Sequence, residues 1–138
     1  MKSVLMLCLG LLLIAANAVA GDYRYVAPAE MKAWLESGKE MVIVDIQPAK
    51  DFARQHFSGA IETNAFPVET DGERQSLDRA AETAKASGKD VVIICPRGKG
   101  GAKRTYDYLK GKGIAEERLV ILTDGMDKWP YKELVKSN

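Results

Sequence analysis

Three short runs of apolar residues stand out, almost without polar interruption: Met41-Val42-Ile43-Val44-Asp45-Ile46, Val91-Val92-Ile93-Ile94-Cys95 and Leu119-Val120-Ile121-Leu122. They are rich in β-branched residues and barely alternate. A strand with one wet face would alternate, so these runs predict strands covered on both faces of a parallel sheet. Ala60 to Thr63 and Tyr23 to Val26 predict two weaker strands. Between the runs the apolar spacing lengthens to three and four. Met31, Trp34 and Leu35 share a helix face before Gly38. Leu77, Ala80, Ala81 and Ala84 do so before Gly88, and Ala102, Thr105, Tyr106 and Leu109 before Gly111 and Gly113. A glycine just past the last periodic residue is a helix stop. Pro48 to Arg54, with Pro in the first turn, and Met126 to Trp129 predict two short helices. Asn64 to Gln75, containing Pro67 and Asp71-Gly72, predicts a loop, and Lys132 to Asn138 a solvated end. The alternation predicts an α/β protein, an open, mostly parallel sheet with right-handed crossovers and helices on both faces.

The first residues break this pattern. Lys2 precedes an uncharged apolar run from Val4 to Ala16, and Ala18-Val19-Ala20 ends it with small residues. This predicts a secretory signal peptide over 1–20, cleaved before Gly21, and a single domain over 21–138 in the periplasm or outside the cell. The apolar run is short for a membrane span, so no membrane association is expected after cleavage.

Composition narrows the function. The 138 residues carry 20 Lys plus Arg against 19 Asp plus Glu, a net charge of +1, without the basic excess of a general nucleic-acid binder. With 2 Cys and 1 His, neither a disulfide framework nor a zinc site is expected, and nothing implies a cofactor. Cys8 leaves with the signal, so the mature chain keeps one thiol, Cys95. A lone thiol is unusual in an oxidising compartment, and it reads either as a small buried hydrophobe or as a reactive group.

The neighbours of Cys95 favour the reactive group. It ends the most hydrophobic strand and is followed by Pro96-Arg97-Gly98-Lys99-Gly100-Gly101 and then a helix. Ligands of open α/β sheets bind at the carboxyl ends of strands. Gly98, Gly100 and Gly101 let the backbone turn its N–H groups inward, the helix adds its positive end, and Arg97 and Lys99 add cations. All of this favours a thiolate and predicts a lowered Cys95 pKa. The loop fits neither a phosphate-binding G-x-x-x-x-G-K-[ST] nor a complete dinucleotide fingerprint. Nor is it the C-x5-R of a cysteine phosphatase: Gly101 stands six after Cys95, and Arg104 nine after it, inside the helix. Arsenate reduction would in addition need a resolving thiol that the mature chain lacks.

From about Tyr25 to Trp129 the chain resembles the single-domain rhodaneses. Tyr25 to Met31 is similar to their opening strand and helix. Val44 to Phe52 is similar to their D-x-R-x-x-x-E-[FY] segment, and His56-Phe57-Ser58-Gly59-Ala60-Ile61 to G-H-I-x-G-A-x with Gln55 for the first Gly. Cys95 to Gly101 stands where they carry C-R-x-G-x-R-[SA], and Gly125 to Trp129 resembles their G-G-x-x-x-W close with Asp124 for the first Gly. The resemblance implies a thiosulfate sulfurtransferase in which Cys95 is the nucleophile and carries a persulfide. The donor would be a small anionic sulfur compound and the acceptor a thiol or cyanide; a protein partner is not named by it. The N–H groups from Arg97 to Gly101 would hold the persulfide, with Arg97 and Lys99 as side-chain anion contacts.

Three departures bear on that expectation. Gln47 replaces the arginine of the D-x-R segment, so an ion pair with Asp51 is lost or replaced. Gly100 stands where many members carry a loop arginine. Pro96 removes one N–H donor. A catalytically weak binding or sulfur-sensing module is therefore the alternative. His56 reads as a structural hydrogen-bonding residue rather than a base. Asp45 either orders the site or caps the turn after its strand. Trp34 and Trp129 read as core.

Overall fold

The computed structural model describes residues 22–138; the expected signal segment lies outside them. Five strands form one sheet: β1 (Tyr25–Val26), β2 (Met41–Asp45), β3 (Ile61–Glu62), β4 (Asp90–Ile94) and β5 (Leu119–Leu122). Their order is β1-β5-β4-β2-β3, and every neighbouring pair is parallel. Five helices connect them: α1 (Pro28–Ser37), α2 (Ala49–Arg54), α3 (Asp71–Gln75), α4 (Asp78–Ser87) and α5 (Gly100–Gly111).

The near-continuous apolar strands have the physical cause expected of them. Successive side chains of a strand point to opposite faces. Val91, Ile93 and Cys95 enter one core, with Ala80, Ala81 and Ala84 of α4 and Ala102, Tyr106 and Leu109 of α5. Val92 and Ile94 enter the other, with Met31 of α1, Phe57, Met126 and Trp129. Both faces of β4 are thus dry, and no position in it can be polar without a partner. The alanine stripe of α4 lets that helix lie close to the sheet. Tyr106, only 1% exposed, turns its ring edge to Tyr23 at 5.1 Å and reaches the helix-turn residue Glu116 with its hydroxyl at 3.3 Å. Trp129 is core as expected, whereas Trp34 is half-buried under the ammonium of Lys39.

Gly38 and Gly88 stop α1 and α4 in the left-handed region, at φ of +71° and +67°. Three local expectations change. The stretch read as a loop over Asn64 to Gln75 holds α3, opened by a capping box in which Thr70 and Glu73 satisfy each other's backbone N–H. Pro48 precedes α2 instead of occupying its first turn, and α5 starts at Gly100, two residues earlier than its apolar pattern. The C-terminal end is tied down. Lys136 and His56 exchange backbone hydrogen bonds at 2.8 and 2.9 Å, and Asn138 donates to the carbonyl of Ala53 at 2.8 Å. Those bonds brace α2, which carries the turn next to Asp45.

Candidate active site

Strand β4 hands the chain to Cys95, which keeps the side-chain direction of Val91 and Ile93 and is 2% exposed. Its Sγ accepts the backbone N–H of Gly98 at 2.7 Å. That requires the loop to fold back on itself within three residues, and Gly98 does so at φ +69°. A methyl group on Gly98 would lie 2.9 Å from both the Asp124 nitrogen and the Leu122 oxygen. Above the sulfur opens a cleft of about 340 Å³, lined by Phe66, Pro67, Glu69, Arg97, Lys99, Gly100, Gly101 and Arg104.

The Cys95 pKa moves opposite to the expectation. Burial pushes the thiol above its ordinary range, and the N–H groups of Gly98, Arg97 and Lys99 pull it only part of the way back. The Asp45 carboxylate adds a smaller upward push. The lowered pKa expected from the glycines and cations is thus reversed. Desolvation of a nearly inaccessible sulfur outweighs the backbone donors, and the side chains of Arg97 and Lys99 are exposed, where water screens them.

The expected anion residues are together. Arg97, Gly98, Lys99, Gly100 and Gly101 form the loop and the start of α5 around Sγ. Arg97 and Lys99 also border a second hollow behind the loop, shared with Asp124, Asp127 and Lys128. Their charge is therefore divided between two surfaces. Gly101 is buried against Phe66 and Ile46, whose atoms would stand 3.0 and 3.3 Å from a methyl there.

Asp45 and His56 take supporting positions. Asp45 accepts the Gln47 backbone N–H at 2.8 Å and its side-chain amide at 2.9 Å; that amide also donates to Gln55 O at 3.1 Å. Gln47 thus braces the turn after β2, while Asp51 pairs with Arg54 instead, at 3.1 Å. Burial raises the Asp45 pKa to about 6; the Gln47 bonds and, less, His56 oppose this, and Glu62 adds to it slightly. His56 stacks on Phe52 at 4.1 Å, and its Nδ1 lies 2.8 Å from Phe52 O. These contacts fit a structural residue.

Sequence reasoning missed two contributors. Gly125 supports the cysteine loop from beneath: at φ +66°, a methyl on it would collide with the carbonyl oxygens of Cys95 and Pro96 and lie 2.6 Å from Arg97 N. Its place in the Gly-to-Trp close was visible, but not the loop it touches. Arg104 is in the helix, as expected, and it also lines the cleft. One turn of α5 beyond Gly100, its side chain returns toward the helix start, a direction that helix geometry favours. Among the described residues no group of three or more His, Cys, Asp or Glu is placed to hold a metal ion.

The model of the rhodanese-like domain matches residues 27–132, and the chain belongs to that family. No curated protein sequence matches the chain. Among solved structures, the rhodanese-like domain of an Anabaena protein is similar at TM-score 0.60 and 14% identity, covering 85% of this chain and 81% of that one. An As-Sb reductase from Leishmania major is similar at TM-score 0.63 and 18% identity, covering 84% and 86%. A thiosulfate sulfurtransferase from Pseudomonas aeruginosa is similar at TM-score 0.59 and 16% identity, covering 85% of this chain and 20% of that longer one. At these identities the likeness is one of fold.

Proposed function

We propose that the protein is an exported single-domain sulfurtransferase that carries a sulfane sulfur on Cys95. The observation that carries this reading is the Cys95 Sγ at the floor of a cation-rimmed cleft, with a backbone N–H already on it at 2.7 Å, in a chain of this family. In the first step the Cys95 thiolate attacks the outer sulfur of thiosulfate or a similar donor. The sulfur–sulfur bond of the donor breaks, sulfite leaves with the electron pair, and a Cys95 persulfide remains. In the second step a cellular thiolate or cyanide attacks the outer sulfur of the persulfide. The thiolate of Cys95 departs, and a persulfide or thiocyanate is released. The loop N–H groups stabilise the anionic sulfur in both states without reorganising. Residues 1–20 direct the chain to the periplasm or the medium, which sequencing the N-terminus of the exported protein checks.

Intact mass spectrometry after incubation with thiosulfate tests the chemistry. The expected result is one added sulfur, removed by cyanide and absent in Cys95→Ser. A Cys95→Ser variant that still transfers sulfur at the full rate overturns the assignment. The burial and raised pKa of Cys95 favour one second reading, a slow sulfur-binding or sensing module. A persulfide that forms but passes to neither cyanide nor thiols supports it, and rapid turnover excludes it.

A further inference from the structure

The loop lacks an arginine at Gly100, yet a guanidinium occupies the space above it. A methyl group on Gly100 would come within 3.0 Å of Arg104 Nη1 and 3.3 Å of Nη2. With no side chain on Gly100, the guanidinium lies directly over the start of α5. Arg104 is held there: its Nε donates to the carbonyl oxygen of Pro67 at 3.0 Å, and its Nη2 lies 3.4 Å from the carboxylate of Glu69. The same group lines the Cys95 cleft, on the wall formed with Phe66 and Pro67. Arg97 and Lys99 share their charge with the hollow bordered by Asp124 and Asp127, so Arg104 is the cleft cation tied to a fixed backbone anchor. A guanidinium fixed at Nε presents its remaining N–H groups in a planar fork suited to an oxyanion, with less orientational freedom left to lose on binding.

We propose that Arg104 recognises the oxyanion head of the sulfur donor in the Cys95 cleft, with Glu69 as the counter-ion that the substrate displaces. This deepens the sulfurtransferase reading and rests on it for the donor. The shared chemistry is an oxyanion carried by the group that leaves when the outer sulfur is transferred, whether the sulfite end of thiosulfate or the carboxylate-bearing thiolate of an organic persulfide.

The test compares an anionic and a neutral reagent at the same thiol, so that it does not depend on sulfur transfer. Cys95 is alkylated with iodoacetate and with iodoacetamide, and the ratio of the two rates is taken. Arg104→Gln is expected to lower that ratio roughly tenfold, the effect of losing one charge-assisted contact. Arg104→Lys is expected to give an intermediate ratio, and it stands in if the Gln variant does not fold. Glu69→Gln, which removes an exposed counter-ion, is expected to raise the ratio about twofold. With thiosulfate and with an organic persulfide bearing a carboxylate, Arg104→Gln is expected to raise KM while kcat changes little. The donor with the larger rise is the one whose head group the site fits. An unchanged alkylation ratio in both Arg104 variants overturns the proposal, because a purely structural role would slow both reagents alike. If wild type takes no sulfur from either donor but its ratio falls on substitution, the sulfurtransferase reading fails and the anion site stands.

Discussion

The backbone N–H of Met126 donates to the carbonyl oxygen of Cys95 at 2.8 Å, and the next N–H, of Asp127, donates to that of Pro96 at 2.9 Å. The segment after β5 therefore grips the cysteine loop along its backbone, two carbonyls in succession. Pro96 has no N–H, so of these two gripped peptide groups only the second carries one, that of Arg97, and it is among the three that favour the Cys95 thiolate. The short helix-like turn over Met126–Lys128 and the buried Trp129 fix the gripping segment in place. Trp129 does so by meeting Phe57 edge-on at 4.9 Å and donating its indole N–H to Tyr131 O at 2.8 Å.

Gly125 is where this grip is most easily broken. Alanine there needs a left-handed backbone at φ +66° and a methyl group in the space of the Cys95 and Pro96 carbonyls. Gly125→Ala is expected to cost roughly 2–4 kcal/mol, by strain and overpacking together, and to abolish persulfide formation. Urea denaturation and intact mass measure the two effects. A stable Gly125→Ala variant that still forms the persulfide would show that the loop can hold its shape without this contact.

Cys95 should alkylate with a midpoint above that of a free thiol, because its pKa is raised mainly by burial. Asp45→Asn removes a nearby negative charge that disfavours the thiolate, so the midpoint should move down in that variant. The pH profile of the iodoacetamide rate, followed by mass, reads both shifts. A wild-type midpoint below the ordinary thiol range contradicts the dominance of burial.

Asp45 also links stability to pH. Its carboxyl holds its proton up to about pH 6 in the folded protein, against 3.8 in the unfolded chain. Between those values the folded state binds more protons, so stability falls as pH rises from about 4 to 6 and is level on either side. The loss is on the order of 2–3 kcal/mol, from the size of the shift. Asp45→Asn should remove that slope while Oδ1 keeps accepting from Gln47. Urea melts at several pH values compare the two proteins, and parallel curves through this window would refute the linkage.

The C-terminal end should matter for stability more than for chemistry. Deleting residues 135–138 removes the paired backbone bonds of His56 and Lys136 and that of Asn138 to Ala53. The expected loss is roughly 2 kcal/mol, from three partly exposed hydrogen bonds. Thermal melting reports it, and the iodoacetate-to-iodoacetamide ratio at Cys95 should stay as in the full chain. A truncated chain as stable as the full one would return this segment to a merely solvated end.

The strands and three longer helices were legible because their information is local. Val91 to Ile94 reads as a strand with two dry faces, since nothing but burial on both sides tolerates such a run. Gly38 and Gly88 mark helix ends because a left-handed residue there is most easily a glycine. Cys95 was legible for the same reason, as a thiol at a strand end before a glycine loop. Helix α3 is hidden in the sequence because Pro67 and Asp71-Gly72 are turn signals, which the Thr70–Glu73 capping box outweighs.

What the sequence determined by itself is the sheet, its flanking helices, the place of the cysteine and the family. Only the tertiary structure decided the state and surroundings of that cysteine. Its pKa depends on how completely the packed cores exclude water, a property of the whole assembly and not of the six loop residues that follow it. Gly125 touches the Cys95 loop and Arg104 overhangs Gly100 because β5 lies beside β4 and α5 turns its side chains back toward its own start. Such contacts join residues by topology and side-chain direction, and a linear pattern carries neither.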